Sequence, residues 1–243
     1  MSLTPFVGGN WKCFNDPVKV NALIHELQEL QFPEQSSVDV LVAPTFLHLL
    51  AAKKDLGAKF HVSAQDVNQF SEGAFTGSIS APGLKANGIS WTLIGHSERR
   101  TCFGEDDEVQ AVKTAKALEQ DLKIVFCIGE TKDERVNGKT TEVVTRQLAV
   151  IADLLKSKPQ SFVIAYEPVW SIGTGLVPTT EQIRDTHLAI RQWLVQTIGA
   201  NGNSIRILYG GMFSYPYYLH CSLDCIRFFG PCSRSLNSFP FHH

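Results

Sequence analysis

Three residue types that could share a proton-transfer reaction stand at the ends of apolar runs in this chain. Glu167 follows the run 162–165 and precedes Pro168, whose ring fixes the backbone directly after the carboxylate. A segment with glycines at 173 and 175 comes next, and such backbone can approach a ligand closely. A rigid element thus presents a carboxylate beside an amide-rich loop, which is how a general base and an anion-binding lid would be joined. His96 follows the run 91–94 and leads into Ser97, Glu98, Arg99 and Arg100, while Asn10 and Lys12 follow the run 6–9. A carboxylate, an imidazole and an ammonium meeting near the glycine backbone of Gly210 and Gly211 suit removal of a proton next to the carbonyl of an anionic substrate. Taken singly, each has a plainer reading. Lys12 would be solvated, His96 a satisfied loop histidine, and Glu98 paired with Arg99 or Arg100. Their shared placement at strand ends favours the joint reading.

The elements that must position them alternate. Apolar runs at 6–9, 38–42, 60–64, 91–94, 123–127, 162–165 and 205–209 read as strands. Helical patterns at 18–30, 47–56, 108–118, 141–155 and 181–198 lie between them, the last with Thr180 as its N-cap. A long glycine-bearing loop spans 65–80. Strict alternation implies parallel strands with right-handed crossovers. A doubly wound open sheet is the rival, but the turn after the first strand reads Gly8-Gly9-Asn10-Trp11-Lys12, which is not a dinucleotide fingerprint. The fold expected is an α/β barrel of the (β/α)8 TIM type. Residues 1–211 form its catalytic domain, with no repeat or linker dividing them, and residues 212–243 are an atypical tail, either part of that domain or disordered.

Composition excludes several classes. The 243 residues are 44% hydrophobic and 19% charged with a net charge of −2, which favours neither nucleic acid nor a membrane surface. No apolar run reaches the length of a membrane span. The first five residues lack the charged and apolar regions of a signal peptide, and Cys13, Cys102 and Cys127 are spaced as reduced thiols, so a cytoplasmic location is expected.

Five segments, taken in order, resemble triosephosphate isomerase: Gly9-Asn10-Trp11-Lys12, Gly95-His96-Ser97-Glu98-Arg99-Arg100, Cys127-Ile128-Gly129-Glu130, the stretch 166–175, and Leu208-Tyr209-Gly210-Gly211. The likeness runs from about residue 6 to 211. It implies an aldose–ketose isomerase that interconverts dihydroxyacetone phosphate and glyceraldehyde 3-phosphate, in glycolysis and gluconeogenesis, without cofactor or metal. By the same likeness Glu167 would be the base and His96 the electrophile that polarises the carbonyl. Lys12 would supply positive charge for phosphate and enediolate, and Asn10 would hold the oxygen side. Glu98 would support the site from behind. Gly173 in the closing lid would give its N–H to phosphate, with Gly211 also on the substrate. Lid closure matters because an enediol phosphate exposed to water tends to eliminate phosphate. The loop at 73–77 resembles the family's dimer loop. A homodimer is implied, with Phe75 and Cys13 at its interface and Thr76 reaching into the partner's site.

Three departures stand against this pattern. Ser78 replaces an acidic residue after the dimer loop, and Leu176-Val177-Pro178 replaces the usual far hinge of the lid. From Met212 onward the likeness stops. Residues 212–243 hold three of the six cysteines and three of the five tyrosines, but no Lys, Glu or Ala. The eighth strand–helix unit is therefore expected to be replaced or missing. The stretch 223–230 would mimic the strand, although Arg227 is awkward inside a packed barrel. The spacing of His220, Cys221, Cys225 and Cys232 fits no closed zinc pattern. Each lost hydrogen bond to the substrate's phosphate would cost about 1.5–3 kcal/mol. The second function expected is thus a catalytically impaired member of the family that acts only through dimerisation.

Overall fold

The computed structural model describes residues 3–31, 38–172, 174 and 176–211, and the backbone alone of 226–229. The strands are β1 (Phe6–Asn10), β2 (Asp39–Ala43), β3 (His61–Ala64), β4 (Trp91–Ile94), β5 (Lys123–Ile128), β6 (Phe162–Tyr166), β7 (Arg206–Tyr209) and β8 (Ile226–Phe229). Around them run α1 (Pro17–Glu29), α2 (Leu49–Leu56), α3 (Ala81–Ala86), α4 (Ser97–Phe103), α5 (Asp107–Glu119), α6 (Lys132–Val136), α7 (Thr140–Ala149), α8 (Ala152–Ser157) and α9 (Thr180–Ile198).

All eight strands among the described residues pair in parallel and in sequence order, and the sheet closes on itself. The closing stave is β8, which pairs Val7 with Arg227 on one side and Leu208 with Ile226 on the other. The eighth strand is therefore replaced by a segment of the atypical tail, within the stretch expected to mimic it. The partner backbone removes the two open edges that a seven-stave sheet would present. The side chain of Arg227, and Met212, His220, Cys221, Cys225 and Cys232, lie outside the described residues.

Alternation along the strands sorts side chains into two cores. Phe6, Leu41, Trp91, Leu93, Val125, Cys127, Val163, Ala165 and Leu208 pack together as the barrel interior. Their neighbours in sequence, such as Ile124, Phe126, Ile164 and Tyr166, join helix residues including Ile24, Leu148 and Leu194 in the outer core. Buried residues at helical spacing account for the helices' placement: Val20, Ile24 and Leu27 on α1, and Ile183, Ile190 and Leu194 on α9. Asp16 caps α1 ahead of Pro17. Thr179, not Thr180, caps α9, in a reciprocal box with Gln182.

Two further differences have local causes. The pattern at 141–155 is two helices rather than one. Val150 keeps helical dihedrals but Ile151 leaves them, Ile151 donates to the Leu148 carbonyl three residues back, and the Ile151 side chain becomes fully buried. The short helices α3 and α6 are too brief for a periodic apolar pattern and depend on caps, Ser80 for one and a Thr131–Glu134 box for the other. Residues 65–80 contain no helix or strand, as expected.

Candidate active site

Every strand-end residue singled out from the sequence lies at the same end of the barrel. Asn10 is the last residue of β1 and is buried. Its Oδ1 accepts from the Lys12 backbone N–H at 2.9 Å. That bond holds Lys12 at φ 52°, a left-handed conformation that side chains rarely adopt. Gln65 secures the same turn, its Nε2 donating to the Lys12 carbonyl at 2.8 Å and to the Ala43 carbonyl at 2.9 Å. The strained backbone sends the ammonium across the mouth. Lys12 Nζ lies 2.7 Å from His96 Nε2 and 3.1 Å from Glu98 Oε1.

His96 follows β4 through Gly95, whose positive φ leaves no room for a side chain: an added Cβ would sit 2.8 Å from the Cys127 carbonyl oxygen. The imidazole caps α4, and its Nδ1 accepts from the Glu98 backbone N–H at 3.2 Å. An accepting Nδ1 carries no proton, so the ring's N–H is Nε2. That nitrogen lies 3.2 Å from Glu167 Oε1. The other carboxylate oxygen, Oε2, accepts from the Ser97 backbone N–H at 3.1 Å. Glu167 and His96 are 2% and 5% exposed, so their charges and dipoles act with little screening by water.

The donors that meet here define what fits between them. With the ring's proton on Nε2, that nitrogen and the Lys12 ammonium are both donors, set 2.7 Å apart at the barrel mouth. An oxygen that carries or develops negative charge would accept from both. Glu167 borders the same space and can take a proton from an adjacent carbon. Burial holds the Cys127 thiol, in the barrel interior, well above its ordinary value, and the neighbouring Glu167 carboxylate adds to the rise. Cys127 is thus a neutral neighbour of the base.

The plainer pairing for Glu98 does not occur. Arg99 pairs with Asp66 and Glu105, and Arg100 pairs with Asp107, which leaves Glu98 to Lys12. The lid's Gly173 and Gly175 lie outside the described residues. Gly211 is buried at the end of β7. Of the interface candidates, Phe75 is exposed and stacks on Phe70 with ring centroids 4.2 Å apart, and Thr76 and Cys13 are exposed. Ser78, at the departure from the pattern, accepts from Asn68 Nδ2 and donates to the Phe75 carbonyl, which ties the loop together without a carboxylate. At the far hinge Leu176 and Val177 are exposed, whereas Pro178 is buried.

Two participants were not assigned from the sequence. The Ser97 N–H that holds Glu167 is invisible there, because any residue supplies a backbone amide. Glu130, the last residue of the segment 127–130, has no role implied by the resemblance. It is fully buried, and its Oε1 accepts from Tyr166 Oη at 3.1 Å, Trp170 Nε1 at 3.0 Å and Thr140 Oγ1 at 3.2 Å. It thereby anchors Trp170, on the lid's near side, to the barrel. A carboxylate three residues beyond the apolar run 123–127, at the head of a polar stretch, is the signal the sequence carries. Among the described residues no group of His, Cys, Asp and Glu has the arrangement of a metal site, and no helix is long and apolar enough to cross a membrane.

Comparison with known proteins converges on one family. The profile described as "Triosephosphate isomerase" matches residues 5–214. The chain is 46% identical over 211 residues to the triosephosphate isomerase of Emericella nidulans, covering 86% of this chain and 84% of that one. It is 44% identical over 207 residues to the chloroplastic enzyme of Secale cereale, covering 85% and 68%. With the cytosolic enzyme of Oryza sativa subsp. japonica it shares 41% over 207 residues, covering 85% and 81%.

Proposed function

The chain belongs to the triosephosphate isomerase family and is an isomerase, and on that premise we propose that it interconverts dihydroxyacetone phosphate and D-glyceraldehyde 3-phosphate through an enediol(ate), in glycolysis and gluconeogenesis. Glu167 removes a proton from the substrate carbon beside the carbonyl. His96 donates Nε2–H to the carbonyl oxygen as negative charge develops there, and Lys12 balances that charge and the phosphate's. Glu167 then returns its proton to the neighbouring carbon while His96 passes the hydroxyl proton from one oxygen of the enediol to the other, so no atom is gained or lost. Asn10 sets the Lys12 turn, Glu98 holds the ammonium, and Gly173 and Gly211 bind the phosphate side. This pairing of a glutamate base with a neutral imidazole is the pattern already worked out for the family.

The observation that carries the reading is the approach of Glu167 Oε1 to 3.2 Å and of Lys12 Nζ to 2.7 Å from the same nitrogen of His96. Closure by β8 supports an active enzyme over an impaired one, because it gives β1 and β7 the backbone partners that hold their ends in place. Residues 1–211 and β8 act as one catalytic unit. The purified full-length chain should isomerise either triose phosphate and place solvent deuterium on the product carbon. A folded chain that does neither overturns the reading in favour of a binding role.

The working form is a homodimer in the cytoplasm. Phe14, Phe46, Leu47, Phe75 and Phe103 are exposed apolar side chains that a second copy would cover, with Cys13 and Thr76 at the same interface. The three described cysteines are free thiols, in keeping with a reducing compartment. Sedimentation at monomer mass at micromolar concentration, or recovery with an organelle fraction, would refute the respective statement.

A further inference from the structure

We propose that Gln147 is a positioning residue for the catalytic carboxylate, acting through the backbone of Gly129. The inference rests on the assignment of Glu167 as the base. Gln147 lies on α7 and is 5% exposed. Its amide binds both polar groups of one peptide residue: Oε1 accepts from the Gly129 N–H at 2.8 Å, and Nε2 donates to the Gly129 carbonyl at 3.2 Å. A side chain that grips both ends of one residue fixes its position and its orientation.

Gly129 is the residue against which Glu167 rests. An added Cβ at 129 would fall 1.7 Å from the Glu167 carbonyl oxygen, so the two backbones touch. The residues flanking Gly129 carry the segment that bears the base. The Glu167 N–H donates to the Ile128 carbonyl at 2.7 Å, and the Val169 N–H donates to the Glu130 carbonyl at 3.1 Å. Glu167 therefore takes its place from the loop 128–130, and that loop takes its place from α7. Thr140, on the same helix, holds the Glu130 side chain.

Packing supplies only part of this constraint. Gln147 and Gly129, with Ser97 and Val169, border a cavity of about 270 Å³, so Gly129, unlike the buried Ile128 and Glu130 beside it, has one open side. Hydrogen bonds rather than contacts must define its position there. The sequence offers one sign of this. Gln147 sits on the buried stripe of α7 with Val143, Val144 and Leu148, where an apolar residue would pack as well.

The test compares Gln147→Leu and Gln147→Glu with the parent chain. Leu fills similar volume and makes neither bond, whereas Glu keeps an acceptor for the Gly129 N–H. We expect kcat of Gln147→Leu to fall on the order of tenfold to a hundredfold, the scale of an ångström-sized misplacement, with KM changed less than about threefold. Gln147→Glu should recover part of kcat. Amide exchange, read at single residues, should accelerate at Gly129 and Glu167 in Gln147→Leu while the β1–β4 amides stay protected. An unchanged kcat with a deprotected Gly129 overturns the proposal. So does a loss of protection across the whole barrel, which would mark a merely structural role. If the parent chain lacks isomerase activity, the functional reading fails by itself. The exchange arm still decides the clamp, because Glu167 protection must fall with that of Gly129.

Discussion

Glu167→Asp removes one methylene and keeps the charge. The carboxylate withdraws by about 1.5 Å, one C–C bond. Its present contacts are 3.2 Å to His96 Nε2 and 3.1 Å to the Ser97 N–H. Both then stretch beyond about 4 Å, outside hydrogen-bond reach. The backbone cannot follow, since the Glu167 N–H is bound to Ile128 and its carbonyl lies against Gly129. A general base contributes about 10²–10⁴ to the rate, and an ångström of misplacement costs about 10². The expected result is a fall in kcat of roughly 10²–10³ with KM nearly unchanged. Stability should change little. A lost buried methylene costs about 0.8 kcal/mol and the bond to Ser97 about 1 kcal/mol, so Tm should drop by only about 4–8 °C. Steady-state kinetics in both directions and thermal unfolding measure the two quantities. A kcat within threefold of the parent refutes Glu167 as the base, and a rise in KM at constant kcat would make it a binding group instead.

Two other groups give independent checks. His187 packs edge-on against Tyr166 with centroids 6.0 Å apart, and desolvation, aided by the Arg191 charge, pushes its imidazole down to about 4 from an ordinary 6.5. The unfolded chain then binds this proton more readily than the folded one, so the contribution is whole above pH 6.5 and is lost as pH falls to 4. Allowing for the ring's partial exposure, the loss is roughly 2–3 kcal/mol. Chemical denaturation of His187→Phe should show a flatter stability profile across that window than the parent, and parallel profiles would sink the argument. Glu130→Ala leaves the donors of Tyr166, Trp170 and Thr140 without their shared acceptor, at a cost of about 3–5 kcal/mol. Thermal unfolding should fall on the order of 10 °C, and an unchanged Tm would show that Glu130 does not hold the lid's near side.

The sequence by itself determined the alternation of strands and helices, because each strand is a short run buried on both faces and each long helix has one apolar stripe. It also determined which residues stand at strand ends, since a run such as 162–165 must stop before a charged Glu167. Distances in space were not contained in it. His96 meets Glu167 because parallel pairing of β4, β5 and β6 brings the ends of separate runs side by side, and one residue of register would separate them. The partner of Glu98, the tautomer of His96 and the hold on the Lys12 turn depend on backbone amides and distant side chains that no local spacing encodes. The same holds for the tail. Its composition departs from the rest of the chain, yet Ile226–Phe229 closes the barrel, because a sheet edge pairs through backbone N–H and C=O groups, which every residue but proline offers.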